Sequence, residues 1–196
     1  MTDITIGVIG YGYWGPNIVR NFFSTDNCRI RSVADERGER LTLLSKNFPS
    51  ITGLKNAEDI LNDSSINAVV IATPVFTHFE LAKKALENGK HVLIEKPLAS
   101  TVAESEELIN LAERKGLTLM VDHTFLYTGA VQKMKELIDS GFIGAPQYFD
   151  SSRINLGLFQ SDINVLWDLA AHDISILLYL IKDIPESVNA TGISRF

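Results

Sequence analysis

Short apolar runs alternate with amphipathic segments along the chain as far as Val121. Residues 4–10 are almost continuously apolar, as expected of a strand that is buried on both faces. In the next segment Ile18, Val19 and Phe22 recur at helical spacing. The same analysis predicts strands at residues 30–34, 67–72, 91–94 and 117–121, and helices at residues 16–23, 39–46, 77–89 and 101–116. This β–α alternation predicts an α/β fold with a doubly wound parallel sheet of the Rossmann type.

Two of the predicted helices carry start and stop signals. Thr77 and Glu80, like Thr101 and Glu104, have the spacing of a capping box, in which each side chain bonds the backbone of the other residue. Gly89 and Gly116 mark the ends of these helices. His78 lies inside the first box, where a surface histidine is expected.

The alternation changes after Val121. The pattern predicts helices at residues 130–139 and 168–181, a strand at 147–154 and the start of a strand at 187–194. We therefore expect a Rossmann domain at residues 1–124, followed at 125–196 by the start of an α+β open-sheet domain for substrate and oligomer contacts. That second domain looks incomplete.

Composition excludes several classes of protein. The formal net charge is −6 and the acidic residues are scattered, so no basic surface for nucleic acid or an anionic membrane is expected. The single cysteine, Cys28, excludes an internal disulfide and fits a reducing compartment. The apolar stretch at residues 174–181 is too short to span a bilayer. These features predict a cytoplasmic protein.

A glycine-rich turn follows the first predicted strand and opens the first helix. Its sequence, Gly10-Tyr11-Gly12-Tyr13-Trp14-Gly15, fits the dinucleotide-binding pattern. The first glycine permits the tight turn, the second lets a pyrophosphate approach the backbone, and the third allows close helix–strand packing. Free N–H groups at the helix start favour phosphate binding, so Tyr13 and Trp14 are candidate cofactor residues together with the glycines.

Asp35 ends the second predicted strand, where an acidic residue is expected to bind an adenosine ribose. Its carboxylate repels a 2′-phosphate, so NAD is expected as the cofactor in preference to NADP. Arg37 either pairs with such a phosphate or is a solvated loop residue, and the second alternative is favoured.

Two further strand ends carry candidate residues. Thr73 and Pro74 follow the strand at 67–72 and either contact the cofactor or form a plain turn. Glu95, Lys96 and Pro97 follow the strand at 91–94. Burial at a sheet edge disfavours the charged form of a lysine and suits it to proton transfer. A lysine that merely extends into solvent is the alternative for Lys96.

Asp168 and His172 are four residues apart, which places both side chains on one face of a predicted helix. They form either an acid/base pair or a helix cap and a buried core histidine. Asp173 either supports His172 or helps the helix to start. Arg153 and Asn155 either contact a substrate or face outward from the predicted strand. We identify no set of metal ligands.

These motifs together resemble the Gfo/Idh/MocA oxidoreductases, a family that includes glucose-fructose oxidoreductase and inositol dehydrogenase. The resemblance rests on the glycine turn, Asp35, Thr73-Pro74, Glu95-Lys96-Pro97 and Asp168-Leu169-Ala170-Ala171-His172-Asp173. Residues 10–23 and 164–168 look most like enzymes of the UDP-N-acetylhexosamine 3-dehydrogenase type. Where many relatives carry an Asn-Arg pair, this chain has Asp122 and His123, which departs from the family pattern.

The resemblance implies NAD-dependent hydride transfer to or from a secondary alcohol or ketone of a sugar, expected to be nucleotide-linked. It makes His172 the general acid/base, Lys96 its partner at the hydroxyl and Asp168 an anchor for a sugar hydroxyl. Lysine and histidine exchange the leading role within the family, so the division of labour between Lys96 and His172 stays open. Glu95 becomes a cofactor-side residue, and the bond before Pro97 is expected to be cis. Family members are usually longer, so this chain is either part of a longer, homo-oligomeric parent or a short relative, and we expect weak or absent turnover for this length of chain. The alternative is a non-catalytic NAD-binding regulator or sensor on the same fold.

Overall fold

The structure, a computed structural model, describes residues 3–154 and 163–193. These residues divide into two compact units. The first, which we call the sheet unit, comprises residues 3–122 and 163–168, and the second, the helical unit, comprises residues 123–154 and 169–193.

The described part of the sheet unit contains a six-stranded sheet in the order β3-β2-β1-β4-β5-β6, and every neighbouring pair is parallel. Its strands are β1 (Ile4–Ile9), β2 (Cys28–Ala34), β3 (Thr52–Leu54), β4 (Ala68–Ile71), β5 (His91–Glu95) and β6 (Leu119–Asp122). The helices are α1 (Gly15–Phe23), α2 (Gly38–Asn47), α3 (Ala57–Leu61), α4 (His78–Glu87) and α5 (Val102–Lys115). The predicted doubly wound Rossmann sheet is confirmed.

Alternate residues of the central strands enter two separate apolar clusters. Val69 and Ile71 of β4 pack into one cluster, and Val70 between them packs into the other. This is the period-2 alternation of a strand covered on both faces. Helices α1 and α2 contribute to the cluster of Val70, while α3, α4 and α5 contribute to the cluster of Val69. The near-continuous apolar runs of the sequence follow from this double burial.

The two predicted capping boxes have different outcomes. The box at Thr101 is present, since its side chain accepts from the Glu104 N–H and Glu104 reaches back to the Thr101 N–H. The box at Thr77 was wrong. A 3₁₀ turn, Val75–Thr77, precedes α4, and the Thr77 hydroxyl donates to the carbonyl of Pro74 instead of capping the helix.

The helical unit contains a 3₁₀ turn (Thr124–Tyr127), α6 (Gly129–Asp139) and α7 (Ala171–Leu180). One π-helical turn, Leu166–Ala170, leads directly into α7 and includes the last residues of the sheet unit. Helices α6 and α7 pack against each other and against the 3₁₀ turn. No helix of the described residues is both long enough and apolar enough to cross a membrane.

The strands predicted at residues 147–154 and 187–194 are absent from the described residues 147–154 and 187–193. A strand needs a neighbour for its backbone N–H and C=O groups. The described residues of the helical unit offer helices and turns but no strand to pair with. Local alternation alone therefore did not produce strands here, and both predictions were wrong.

We predict that Gly7 is required by packing in the middle of β1. A β-carbon there would collide with Ile60 and approach Ile66. Gly7→Ala should therefore lower the free energy of unfolding by about 1–3 kcal/mol. At Gly38, the first residue of α2, an added β-carbon meets no atom within 4 Å. Gly38→Ala is the control and should be neutral or stabilising by less than about 1 kcal/mol. Urea unfolding of the three proteins measures both effects, and equal stability of the two variants would contradict the packing argument.

Candidate cofactor and active site

The strand order places a crevice at the carboxyl ends of β1 and β4. From β1 the chain crosses to β2 on one side, and β4 begins the other half of the sheet on the opposite side. In open parallel sheets, ligands bind at the point where the strand order reverses. Here the glycine turn follows β1 and Thr73 follows β4, so both candidate segments border the same crevice.

The first glycine of the turn is fixed by its backbone and its neighbours. Gly10 has φ +98°, a conformation that strains any residue with a β-carbon. Its N–H donates to the carbonyl of Ala34 at 2.8 Å. A β-carbon would collide with the carbonyl of Ala72 and lie 3.0 Å from Cγ2 of Thr73. The turn is thus closed against the end of β4.

The other two glycines differ from each other. At Gly15 a β-carbon would lie 2.6 Å from the carbonyl oxygen of Gly10, so this glycine permits close packing at the helix start. At Gly12 only Arg37 Nη2 comes within 4 Å, at 3.4 Å, so the space in front of the backbone is open. Helix α1 has no acidic residue in its first turn. This open, non-acidic cradle fits a pyrophosphate.

Tyr13 and Trp14 lie on the rim of this cradle. Their rings stack at a centroid distance of 6.4 Å, and Tyr13 is 79% exposed. Large aromatic surface is therefore available beside the place where a pyrophosphate would bind.

Asp35 is buried at the end of β2 and accepts hydrogen bonds from two directions. The Tyr11 N–H donates to Oδ2 at 2.8 Å, and the Arg37 side chain donates to both oxygens at 2.9 Å. Burial would raise the pKa of Asp35, but the hydrogen bonds from Arg37 and Tyr11 outweigh it and lower the pKa. The carboxylate therefore stays ionised, and Arg37 is paired with it instead of being a solvated loop residue.

Thr73 and Pro74 form a tightly bonded turn after β4. The hydroxyls of Thr73 and Thr77 are 2.7 Å apart, and the Thr77 hydroxyl donates to the Pro74 carbonyl at 2.8 Å. The carbonyl of Thr73 lies 2.9 Å from Nε2 of His78. His78 is fully buried, so the expectation of a surface histidine was wrong. The reason is that the preceding 3₁₀ turn directs the first turn of α4 against the sheet edge.

Glu95 ends β5 directly beside Asp122, which ends β6. Burial, the negative charge of Asp122 and a hydrogen bond with it raise the pKa of Glu95 to about 7, against an opposing effect of Lys96. Two neighbouring carboxyl groups in a partly desolvated site cannot both ionise easily. This pair therefore holds a proton near neutral pH.

Lys96 and Asp168 are brought together within the sheet unit. Nζ of Lys96 donates to Oδ1 of Asp168 at 2.7 Å and to its carbonyl oxygen at 2.8 Å. Both side chains are largely buried, with 19% and 15% exposed. The Lys96–Pro97 peptide bond is cis, as predicted. Lys96 does not extend into solvent, so that alternative was wrong.

His172 lies on α7 in the helical unit. Its ring makes an edge contact with Phe125 at a centroid distance of 4.7 Å. The Arg153 guanidinium lies over the same Phe125 ring, 5.0 Å from its centroid, and donates two hydrogen bonds to Asp173. The hydrogen bonds from Arg153 lower the pKa of Asp173 despite partial burial. Asn155, the other candidate of this segment, lies outside the described residues.

Sequence reasoning missed three features of this sheet edge: the burial of His78, the contact of Asp122 with Glu95, and the ion pair of Arg37 with Asp35. Asp122 carried a usable signal, since Glu95 and Asp122 each end an apolar strand and adjacent parallel strands end at one edge. The burial of His78 carried no such local signal.

Comparison with known proteins adds relatives over the whole chain. The family model described as "Oxidoreductase family, NAD-binding Rossmann fold" matches residues 4–123. The UDP-N-acetylglucosamine 3-dehydrogenase of Acidithiobacillus ferrooxidans is 32% identical over 99% of this chain and 59% of its own length.

Two solved structures share the fold. An NAD-binding protein from Listeria innocua superposes with a TM-score of 0.79 and 25% identity, over 92% of this chain and 55% of that one. KijD10, a 3-ketoreductase from Actinomadura kijaniata in complex with NADP and TDP-benzene, superposes with a TM-score of 0.66 and 26% identity. The match covers 71% of this chain and 43% of that one. The chain thus spans about half the length of the relatives it matches.

We predict that the raised pKa of Glu95 lowers the free energy of unfolding as the pH rises. The folded chain holds the Glu95 proton up to a pH of about 7, whereas the unfolded chain releases it near its ordinary value of 4.5. Stability is therefore lost as the pH rises from about 4.5 to 7. Glu95→Gln cannot ionise, so between pH 5 and pH 8 its free energy of unfolding should rise by on the order of 1 kcal/mol relative to that of the unaltered protein. Urea unfolding across this range measures it, with the exposed Glu106→Gln as the surface-charge control. A pH-independent difference would contradict a proton held by the carboxyl pair.

Proposed function

The chain belongs to the Gfo/Idh/MocA oxidoreductase family, and from that premise we propose that its protein is a nicotinamide-dependent dehydrogenase or reductase. The reaction is hydride transfer between the nicotinamide and a secondary alcohol or ketone of a sugar or polyol. Two of the relatives, the UDP-N-acetylglucosamine 3-dehydrogenase and the 3-ketoreductase KijD10, support this reaction class. Because the chain spans about half of those relatives, activity and substrate are proposals for the whole protein.

One observation carries the proposal: a lysine held at the carboxyl edge of the sheet by a carboxylate. Lys96 follows β5, on the half of the sheet next to the crevice between β1 and β4. Its ammonium group binds Asp168 and is largely removed from solvent. A purely structural lysine would not need to sit beside a dinucleotide cradle, whereas alcohol oxidation needs a proton-transfer group there.

The residues of the crevice fit a dinucleotide cofactor. The open cradle at Gly12 and the start of α1 would hold the pyrophosphate, and Asp35 would bind the adenosine ribose. Thr73, Pro74 and Glu95 would lie toward the nicotinamide half, since they end β4 and β5. When bound, the cofactor supplies the hydride acceptor or donor.

The chain's own groups would handle the hydroxyl proton. Lys96 would bind the reacting oxygen and exchange a proton with it, and His172 would act as the general acid/base. The pairing of Asp168 with Lys96 revises its expected role as a sugar anchor. We assign Asp168 to hold the Lys96 ammonium group, so a substrate hydroxyl would join this pair instead of meeting a free carboxylate.

The finer proposals are a nucleotide-linked sugar as substrate and NAD as cofactor. The first is supported by the relative that acts on UDP-N-acetylglucosamine and by the ketoreductase complexed with TDP-benzene. The second is supported by the ionised, buried Asp35. The Arg37 guanidinium beside it offsets the charge that would repel a 2′-phosphate, so the preference should be modest.

We predict that NAD binds this chain more tightly than NADP, by about tenfold. Gly12→Ala should weaken both cofactors at least about tenfold, because the new methyl group fills the cradle without a clash in the protein. Arg37→Ala should weaken NADP more than NAD, because it leaves the Asp35 carboxylate without its cation. Calorimetric titration measures the affinities, and thermal unfolding checks that each variant is folded. If NADP binds more tightly than NAD and Arg37→Ala reverses that order, NADP replaces NAD as the proposed cofactor.

We predict that Lys96→Met lowers kcat for oxidation of UDP-N-acetylglucosamine by at least about 100-fold while the Kd for NAD changes by less than about threefold. The loss follows because methionine keeps the length of the side chain but neither donates nor accepts a proton. Lys133→Met, on the exposed face of α6, is the matched control and should leave kcat unchanged. The rate of NADH formation at 340 nm is the measurement, made on the whole protein.

The outcomes separate the candidate functions. Turnover that depends on Lys96 supports the dehydrogenase. Cofactor binding without turnover of nucleotide sugars, free sugars or polyols by the whole protein would favour a non-catalytic NAD-binding regulator. Turnover unaffected by Lys96→Met would overturn the assignment of Lys96.

A further inference from the structure

His78 occupies a buried position between the ends of two neighbouring strands. It is the first residue of α4, and none of its surface is exposed to solvent. Its Nδ1 atom lies 2.9 Å from the carbonyl oxygen of Pro97, and its Nε2 atom lies 2.9 Å from the carbonyl oxygen of Thr73. The imidazole therefore links the turn after β4 to the turn after β5.

The two turns need this link to different degrees. The turn after β4 is already bonded internally through the Thr73 and Thr77 hydroxyls and through the bond from Thr77 to the Pro74 carbonyl. The Pro97 carbonyl belongs to the residue that directly follows Lys96. The bond from Nδ1 thus ties the Lys96 turn to a neighbouring turn that is rigid in its own right.

The chemistry of the two acceptors constrains the ring. Carbonyl oxygens only accept hydrogen bonds, so a ring nitrogen stabilises either contact only when it carries a hydrogen. A neutral imidazole has one N–H, whose position is set by its surroundings. A ring that holds the Lys96 turn must carry that hydrogen on Nδ1, whatever the state of Nε2.

We propose that His78 is a positioning residue for Lys96, and that its Nδ1–H bond to the Pro97 carbonyl holds the Lys96 ammonium group at Asp168. The turn after β4 also borders the glycine turn, because Thr73 lies against Gly10. Through its contacts with the Thr73 and Pro97 carbonyls, His78 therefore connects the cofactor cradle to the proposed proton-transfer lysine. The effect on turnover rests on the proposed function, whereas the positioning of Lys96 does not.

Two substitutions separate the contacts of the ring. His78→Asn places an amide N–H near the position of Nδ1, and His78→Gln places one near the position of Nε2. Both replace a buried imidazole by a smaller amide, so their thermal unfolding should be similarly affected. His78→Asn should keep kcat within about threefold, and His78→Gln should lower kcat by about 10- to 100-fold with little change in the Kd for NAD.

Two measurements do not depend on turnover. ¹⁵N NMR of the imidazoles of the four histidines, with the His78 signals assigned by their loss in His78→Gln, should show a protonated Nδ1. Labelling of Lys96 by an amine-reactive reagent, followed by peptide mass spectrometry, should be faster in His78→Gln than in His78→Asn. The exposed Lys133 serves as the internal standard.

Each result supports or overturns the positioning role. A hydrogen on Nε2 alone, or equal Lys96 labelling in the two variants, would overturn it even if the protein is an active dehydrogenase. Loss of kcat in both variants in proportion to their stability would reduce His78 to a structural residue. If no turnover is found with any substrate, the spectra and the labelling still test the positioning, and only the proposed function fails.

Discussion

The whole candidate site depends on the parallel pairing of strands β1, β4, β5 and β6. The apolar residues of β1, β4 and β5 pack into clusters on both faces of the sheet, so polar groups are excluded from the interiors of these three strands. Because the strands are parallel, their carboxyl ends meet at one edge of the sheet. The glycine turn follows β1, Thr73 follows β4 and Lys96 follows β5, so all three lie at this edge. Residues far apart in sequence thereby become neighbours without any long loop.

Two ion pairs lie at this edge, Arg37 with Asp35 and Lys96 with Asp168, and they differ in how deeply they are buried. Arg37 is half exposed beside Asp35, so its guanidinium can move to a phosphate at little cost in desolvation. Lys96 and Asp168 are both largely buried, and separating them would leave an unpaired charge. A ligand is thus expected to displace Arg37 but to join the pair of Lys96 and Asp168. The pair at Asp35 then affects the affinity for the cofactor, and the pair at Lys96 affects the proton transfer.

The sheet and the glycine turn could be predicted from sequence because their signals are local. Apolar runs mark the central strands, and Gly10 needs a conformation that other residues avoid. The capping box at Thr101 formed as its spacing predicted. The identical signal at Thr77 failed because its hydroxyl is engaged within the preceding turn, by the Thr73 hydroxyl and the Pro74 carbonyl. The contact of His78 with Pro97 joins residues 19 positions apart, so no pattern around His78 revealed it.

The helical unit shows where periodicity stops being informative. Residues 147–154 alternate like a strand, yet Tyr148 is 87% exposed and the segment has no strand to pair with among the described residues. Its Arg153 binds Asp173 and covers Phe125, which in turn contacts His172. These are contacts between side chains about 20 or more residues apart, and they depend on how the helices and turns pack. Helical spacing could identify His172 as a candidate, but the groups that surround it could be found only from the packed unit.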